Sequence, residues 1–286
     1  MTATFTPDQP TRQATAVYVF AVCRAQAAPA LAGLPGHRDG GALRLLEAGA
    51  LAAVTQEVPA YEHDEEALRR RLAEPAELEG YARAHHEVVA AVAAVTTTVP
   101  LPLATLYTSE ERARQAVADN AARFHRALDR LTGRAEWGLK VYALPPRQAA
   151  EACVPAAAPG PEPDGEASGA RPSGRAYLER LRNRQRDREA RREAAWLAAE
   201  RVDAAVGRLA VAARRLRTHG AEAGGPERQL LNATYLVDAA RAGELAALVE
   251  RLRGDTTLAG QVRLELTGPW APYSFADEGE AGDGEG

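Results

Sequence analysis

TAVYVFAVC, residues 15–23, is apolar without a break and rich in β-branched and aromatic side chains. A strand built from it has no polar face, so it reads as a central strand buried on both sides. Such a strand needs neighbours beside it and helices over it, and the residues that follow supply both. ALRLLEAGALAAVTQEV (42–58) reads as two short strands about a Glu-Ala-Gly turn at 47–49. Pro75 suits the first position of a helix. Leu78, Tyr81, His85, Val88, Val92 and Val95 then recur at three- and four-residue spacing, one apolar face. TTTVPLPLATLY (96–107) is extended, kept near a sheet edge or irregular by Pro100 and Pro102. Thr108 and Glu111 form a T-x-x-E capping box for a helix striped by Ala113, Val117, Ala121, Phe124, Leu128 and Leu131, and Gly133 ends it. Ala135, Trp137, Leu139, Val141 and Ala143 alternate with Glu136, Gly138, Lys140 and Tyr142, which marks another strand. Residues 16–144 thus predict a ferredoxin-like α+β domain, a mixed, mostly antiparallel sheet with helices on one face.

Residues 145–173 are dense in Pro, Gly, Ala and acid and have no apolar period, the composition of a flexible linker or insertion. Residues 1–15 and the acidic 276–286 read as disordered tails. Between them, 174–275 predict a second, smaller α+β domain. It opens with a long helix at 174–218, whose latter half is striped by Ala195, Ala198, Val202, Ala205, Leu209, Ala212 and Leu216. Its first half differs. RNRQRDREARR (182–192) carries Arg182, Arg184, Arg186, Arg188, Arg191 and Arg192 against Asp187 and Glu189, with Ala190 alone apolar. LLNATYLVD (230–238) is a strand, and Asp238 is placed to cap a helix carrying Leu245, Leu248 and Leu252, with Gly254 beyond its end. QVRLELTG (261–268) is a further strand, halted at Gly268-Pro269 because Pro cannot donate to a ladder.

The 286 residues carry a net charge of −4 and are 46% hydrophobic, enough for real cores and without the basic excess of a general nucleic-acid binder. Cys23 and Cys153 are far apart, which is neither a disulfide framework nor a metal-finger spacing and fits a reducing compartment. The opening MTATFTPDQPTRQ is polar, unlike a signal peptide, and the apolar window 88–107 is interrupted by threonines and prolines, unlike a membrane span. These features predict a cytoplasmic protein with no membrane partner.

Motifs for chemistry are sparse. His85, His86 and Glu87 invite a metal or acid–base reading, but neighbouring helix residues diverge by about 100°. His85 also falls on the apolar stripe, so a hydrogen-bonded core histidine is expected. GLPGHRDGG (33–41) lacks both the dinucleotide fingerprint and the Gly-Lys-Ser/Thr of a phosphate loop and reads as a surface loop. The arginines of 182–192 read either as a solvated face or as a contact for an acidic partner. Aromatic residues for base stacking are lacking there, which disfavours a nucleic acid. An enzymatic or small-ligand-binding α/β protein, or a basic-helix nucleic-acid binder, is the alternative reading.

Several segments, in order, resemble one known family, the gas vesicle protein GvpL/GvpF family. They are VYVFAV, RLLEAGALAAVTQEVP, HHEVVAAV leading into VPLPLATLYTSEERARQAV, EWGLKVYAL, the arginine-rich start after Ala176-Tyr177-Leu178, and LELTGPWAPYSF (264–275). The last is the most specific, through Gly268, Pro269, Trp270, Pro272, Tyr273 and Phe275. Where many members have LPMRFGT, this chain has VPLPLATLY. The resemblance implies two α/β domains, the first ferredoxin-like, and a non-enzymatic role as minor shell component or assembly factor. It implies the shell protein GvpA and other accessory Gvp proteins as partners and a place in the cytoplasm and at the gas vesicle. It supplies no cofactor, metal or catalytic residue. Partner contacts are then expected at the six arginines and at the sheet edge of Leu101 and Leu103. The aromatic segment is expected to be a structural seam anchored by Trp270.

Overall fold

A computed structural model describes residues 14–27, 31–63, 65–145, 174–218 and 228–276. Most of the two expected tails and of the linker, together with Cys153, lies outside the described residues. The chain divides into two compact units, Met1–Ala135 with Trp270–Gly286, and Glu136–Pro269.

In the first unit, β1 (Thr15–Arg24) is central as expected, and Tyr18 through Cys23 are each fully buried. It pairs with β3 (Leu51–Pro59) on one side, and with β4 (Thr98–Pro100) and β5 (Leu106–Tyr107) on the other. The hairpin partner β2 (Leu43–Ala48) completes the order β2-β3-β1-β4. That is the ferredoxin-like order, but every pairing is antiparallel rather than mixed. A bulge at Phe20 shifts the register between Val19 and Ala21.

Among the described residues, five α-helices accompany this sheet. The sequence gives little sign of α1 (Ala60–His63), a single turn, or of α2 (Glu65–Ala73), a nine-residue helix with few apolar residues among its charges. Next comes α3 (Pro75–Ala93), with Pro75 in its first turn and Tyr81, His85, Val88, Val89 and Val92 buried. Val95 lies past the helix end and is exposed, and Leu78 is exposed too, so both leave the expected stripe. The expected single helix over 109–132 is broken at Asn120 into α4 (Glu110–Asp119) and α5 (Ala121–Leu131). Its cap is Ser109, whose hydroxyl accepts from the Arg112 amide, and not Thr108. Helix α3 packs on Tyr18, Phe20 and Val54. Strand alternation turns Val17, Val19 and Val22 the other way. They are buried as well, and α4 and α5 lie against β1, so helices cover both faces rather than one.

The second unit reassigns a strand. β6 (Arg134–Ala143) was expected in the first domain but lies inside the second sheet, beside β8 (Arg228–Asp238) and β9 (Val262–Trp270). Leu139 and Val141 share one core with Tyr235, Leu245 and Leu264. The composition break at Pro145 therefore falls within a fold unit, between β6 and α6 (Gly174–Gly207), rather than between domains. The helix ends at Gly207, and the expected helical 212–216 is instead β7 (Ala212–Arg215), an edge strand on β8. Asp238 precedes a short 3-10 turn without a side-chain cap bond, and α7 (Ala242–Gly254) begins after it. A last turn, α8 (Thr256–Ala259), is capped by Asp255 through the Thr257 amide. β9 continues through Gly268-Pro269 to Trp270, which an edge strand allows because a missing N–H can face outward.

Counted within each unit, both sheets have the order 2-3-1-4. The second unit supplies α6 as its first crossover. The first unit makes the same crossover with a 3-10 turn at Ala25–Ala27 and the glycine loop.

Candidate functional site

The histidines that invite chemistry are held in the core of the first unit. Tyr18 projects from β1, and its hydroxyl lies 2.8 Å from His85 Nδ1 and accepts from the Ala104 amide at 3.0 Å. A hydroxyl with one proton fits both contacts by donating to a neutral imidazole. His37 stacks on Tyr81 at 4.1 Å between ring centroids and meets Tyr18 edge-on at 4.4 Å. His63 stands 6.3 Å from His37. The sequence scatters these histidines; the fold collects His37, His63 and His85.

The glycine loop explains how His37 gets there. The Gln56 side chain, 2% exposed, accepts from the His37 amide and donates to the His37 and Gly41 carbonyls. A Cβ at Gly36 or Gly40 would lie 2.4 Å from that amide. The loop is thus wrapped on a buried amide rather than lying free on the surface.

Burial lowers the pKa of His37 to about 3, with His63, His85 and Arg71 adding repulsion. Burial likewise takes His85 to about 4. These groups are neutral at physiological pH. His85 points to Tyr18, whereas His86 faces the rings of Trp270 and Tyr273 at 5.6 and 6.1 Å, and Glu87 is exposed. The two rings differ in their other partners, but both approach Tyr273, at 6.0 and 6.1 Å between centroids. Among the described residues, no group of three or more His, Cys, Asp or Glu is placed to hold a metal ion, and no helix is long and apolar enough to cross a membrane.

The aromatic segment splits in its roles. Phe275 and Ala271 are buried, and the Phe275 carbonyl accepts from Arg130 at 2.7 Å. Tyr273 packs against the cluster of Tyr18 and Phe20. Trp270, expected to be the anchor, is 46% exposed. Gly268 adopts φ 124°, and a Cβ there would lie 2.9 Å from the Glu136 carbonyl. Both facts bind that position to glycine.

The expected contact residues fall in two settings. Leu101 is buried and Leu103 half-buried against the first core, both in the connection between β4 and β5 rather than on an edge strand, so neither offers much apolar surface. Arg182, Arg184, Arg186, Arg188, Arg191 and Arg192 are all exposed on α6. Three of them, Arg188, Arg191 and Arg192, line a concavity of about 720 Å³ in the second unit. Trp196 on α6, Leu144 and Pro145 after β6, and Arg228 and Leu230 on β8 complete much of its wall. Sequence reasoning found the arginines but not Trp196, Arg228 or Leu230, since nothing local links β8 to that helix face.

Comparison with known proteins accounts for nearly the whole chain. The family model described as gas vesicle synthesis protein GvpL/GvpF matches residues 16–277. A gas vesicle protein L from a Streptomyces species is 41% identical over 267 residues, covering 91% of this chain and 92% of that protein. The crystal structure of GvpF from Anabaena sp. superposes with a TM-score of 0.60 at 16% identity, over 92% of this chain and 96% of that one. GvpF from Microcystis aeruginosa gives 0.58 at 14% identity, over 92% and 99%. At such identities the two structures speak for the fold, while the family match and the Streptomyces relative speak for kinship. The chain belongs to the GvpL/GvpF family of gas vesicle synthesis proteins.

Proposed function

We propose that this protein is a non-enzymatic accessory factor of gas vesicle formation, acting in the cytoplasm and at the growing vesicle. It binds the shell protein GvpA or other gas vesicle proteins and holds them until they join the shell. A shell subunit with a large apolar face would self-associate wrongly unless shielded. Supporting this reading is the first half of α6, exposed at every position from 181 to 193. A helix face so rich in arginine and so free of core duties suits recognition rather than packing. Its counterpart is the fate of the histidines, whose neutral, packed state suits a structural part.

The test is co-expression with the shell protein and with each accessory gas vesicle protein, followed by affinity capture at low and moderate salt. Retention of at least one of them is expected. Retention of none at either salt would refute the binding role.

A further inference from the structure

We propose that the concavity of the second unit is a docking groove for an acidic peptide segment of a partner protein, carrying one large apolar side chain as its anchor. This rests on the protein-binding reading above and names the chemistry of the partner. The groove follows from a helix face that changes character. Ala195, Ala198, Ala199 and Val202 bury one face of α6 on the second core. Stepping back from Ala195 by three, four and seven residues gives Arg192, Arg191 and Arg188, the same face of the helix. Below, that face meets the sheet; above, it meets an opening walled by Leu144, Pro145 and Leu230.

Arg228 adds a fourth guanidinium from β8, and none of the described residues lining the groove is acidic. Four like charges around one concavity repel each other, so a carboxylate-bearing occupant gains twice, by relieving repulsion and by forked hydrogen bonds. Trp196, on the same helix, lines the groove and is 54% exposed, so its ring presents an open apolar face to an occupant. The volume of about 720 Å³ lies in the range of ligand pockets, roughly 300–1,000 Å³. It admits an apolar side chain with a short stretch of backbone. A polynucleotide fits less well, because a lone tryptophan offers no row of stacking platforms.

The experiment uses the full chain and a fluorescein-labelled synthetic peptide of glutamates around a central Leu-Phe, followed by anisotropy. Saturable binding is expected, weakened about tenfold or more by Trp196→Ala, by Arg191→Ala with Arg192→Ala, and by replacing Leu-Phe with Ser-Ser in the peptide. Arg228→Ala, on the opposite wall, repeats the test without touching the helix. Circular dichroism verifies that each variant is folded. Equal binding of the Ser-Ser peptide would overturn the proposal, as would tighter binding of a single-stranded oligonucleotide. A tenfold gain on deleting residues 277–286 would make the chain's own acidic segment the occupant and overturn it. Self-association of the wild type lost in Arg191→Ala would do so in favour of a second copy.

The two readings separate cleanly. A groove that binds no peptide in a protein that still captures gas vesicle proteins defeats the groove alone. Peptide binding without capture of any gas vesicle protein defeats the accessory role alone.

Discussion

Phe275 and Trp270 divide between them a task that the aromatic segment gives to the first unit. Phe275 is 4% exposed, whereas Trp270 leans on His86 with nearly half its surface outside. Phe275→Ala should therefore cost about 3–4 kcal/mol and Trp270→Ala closer to about 1 kcal/mol, read from urea denaturation of each variant. The reverse ranking would restore Trp270 as the anchor. The buried histidines act through protons instead. His37 faces Tyr18, Tyr81, His63 and Arg71, and His85 faces Tyr18, His86 and Tyr273. With folded pKa values of about 3 and about 4 against 6.5 unfolded, the unfolded chain binds more protons throughout the interval. Stability is full above pH 6.5 and falls as pH drops towards those folded values, by roughly 2 kcal/mol per histidine at about pH 5. Thermal melts between pH 8 and about pH 5 should show this fall, and His37→Phe should flatten it. An unchanged slope in that variant would remove His37 from the account.

At the scale of elements, the end of one helix distinguishes a motif from its use. The T-x-x-E box suggests Thr108 as cap, yet the chain enters α4 one residue later through Ser109. Ser109→Ala should cost about 1 kcal/mol and Thr108→Ala only a few tenths, measured by chemical denaturation. Elements with a strong period were legible: β1, β2, β3, α3 and β8 stand close to where their apolar patterns put them. β7 was not, because Ala212-Ala213-Arg214-Arg215 carries no β signal and is a strand only through pairing with β8. Nor was the sheet to which β6 belongs, since pairing is decided by distant partners such as Tyr235 and Leu264. The groove was half legible for the same reason. The arginine face follows from helical spacing alone, while Arg228 and Leu230 reach it only through the tertiary fold.

For the molecule as a whole, the path of the chain matters more than its composition. The first unit is made of two pieces, 1–135 and 270–286, with all of the second unit between them in sequence. Truncation after Pro269 should remove Ala271, Tyr273 and Phe275 from the first core while leaving the second core whole. Hydrogen exchange should then quicken in β1 and α3 and stay slow in β8. Equal loss in both units would mean that they fold as one. The same interruption bears on birth at the ribosome, where chains emerge at about 5–20 residues per second. Although β1 is made early, residues 270–276 come only after every residue of the second unit has been made. The unit encoded second is thus the one able to finish first, while the earlier one waits with part of its core uncovered until translation reaches Phe275.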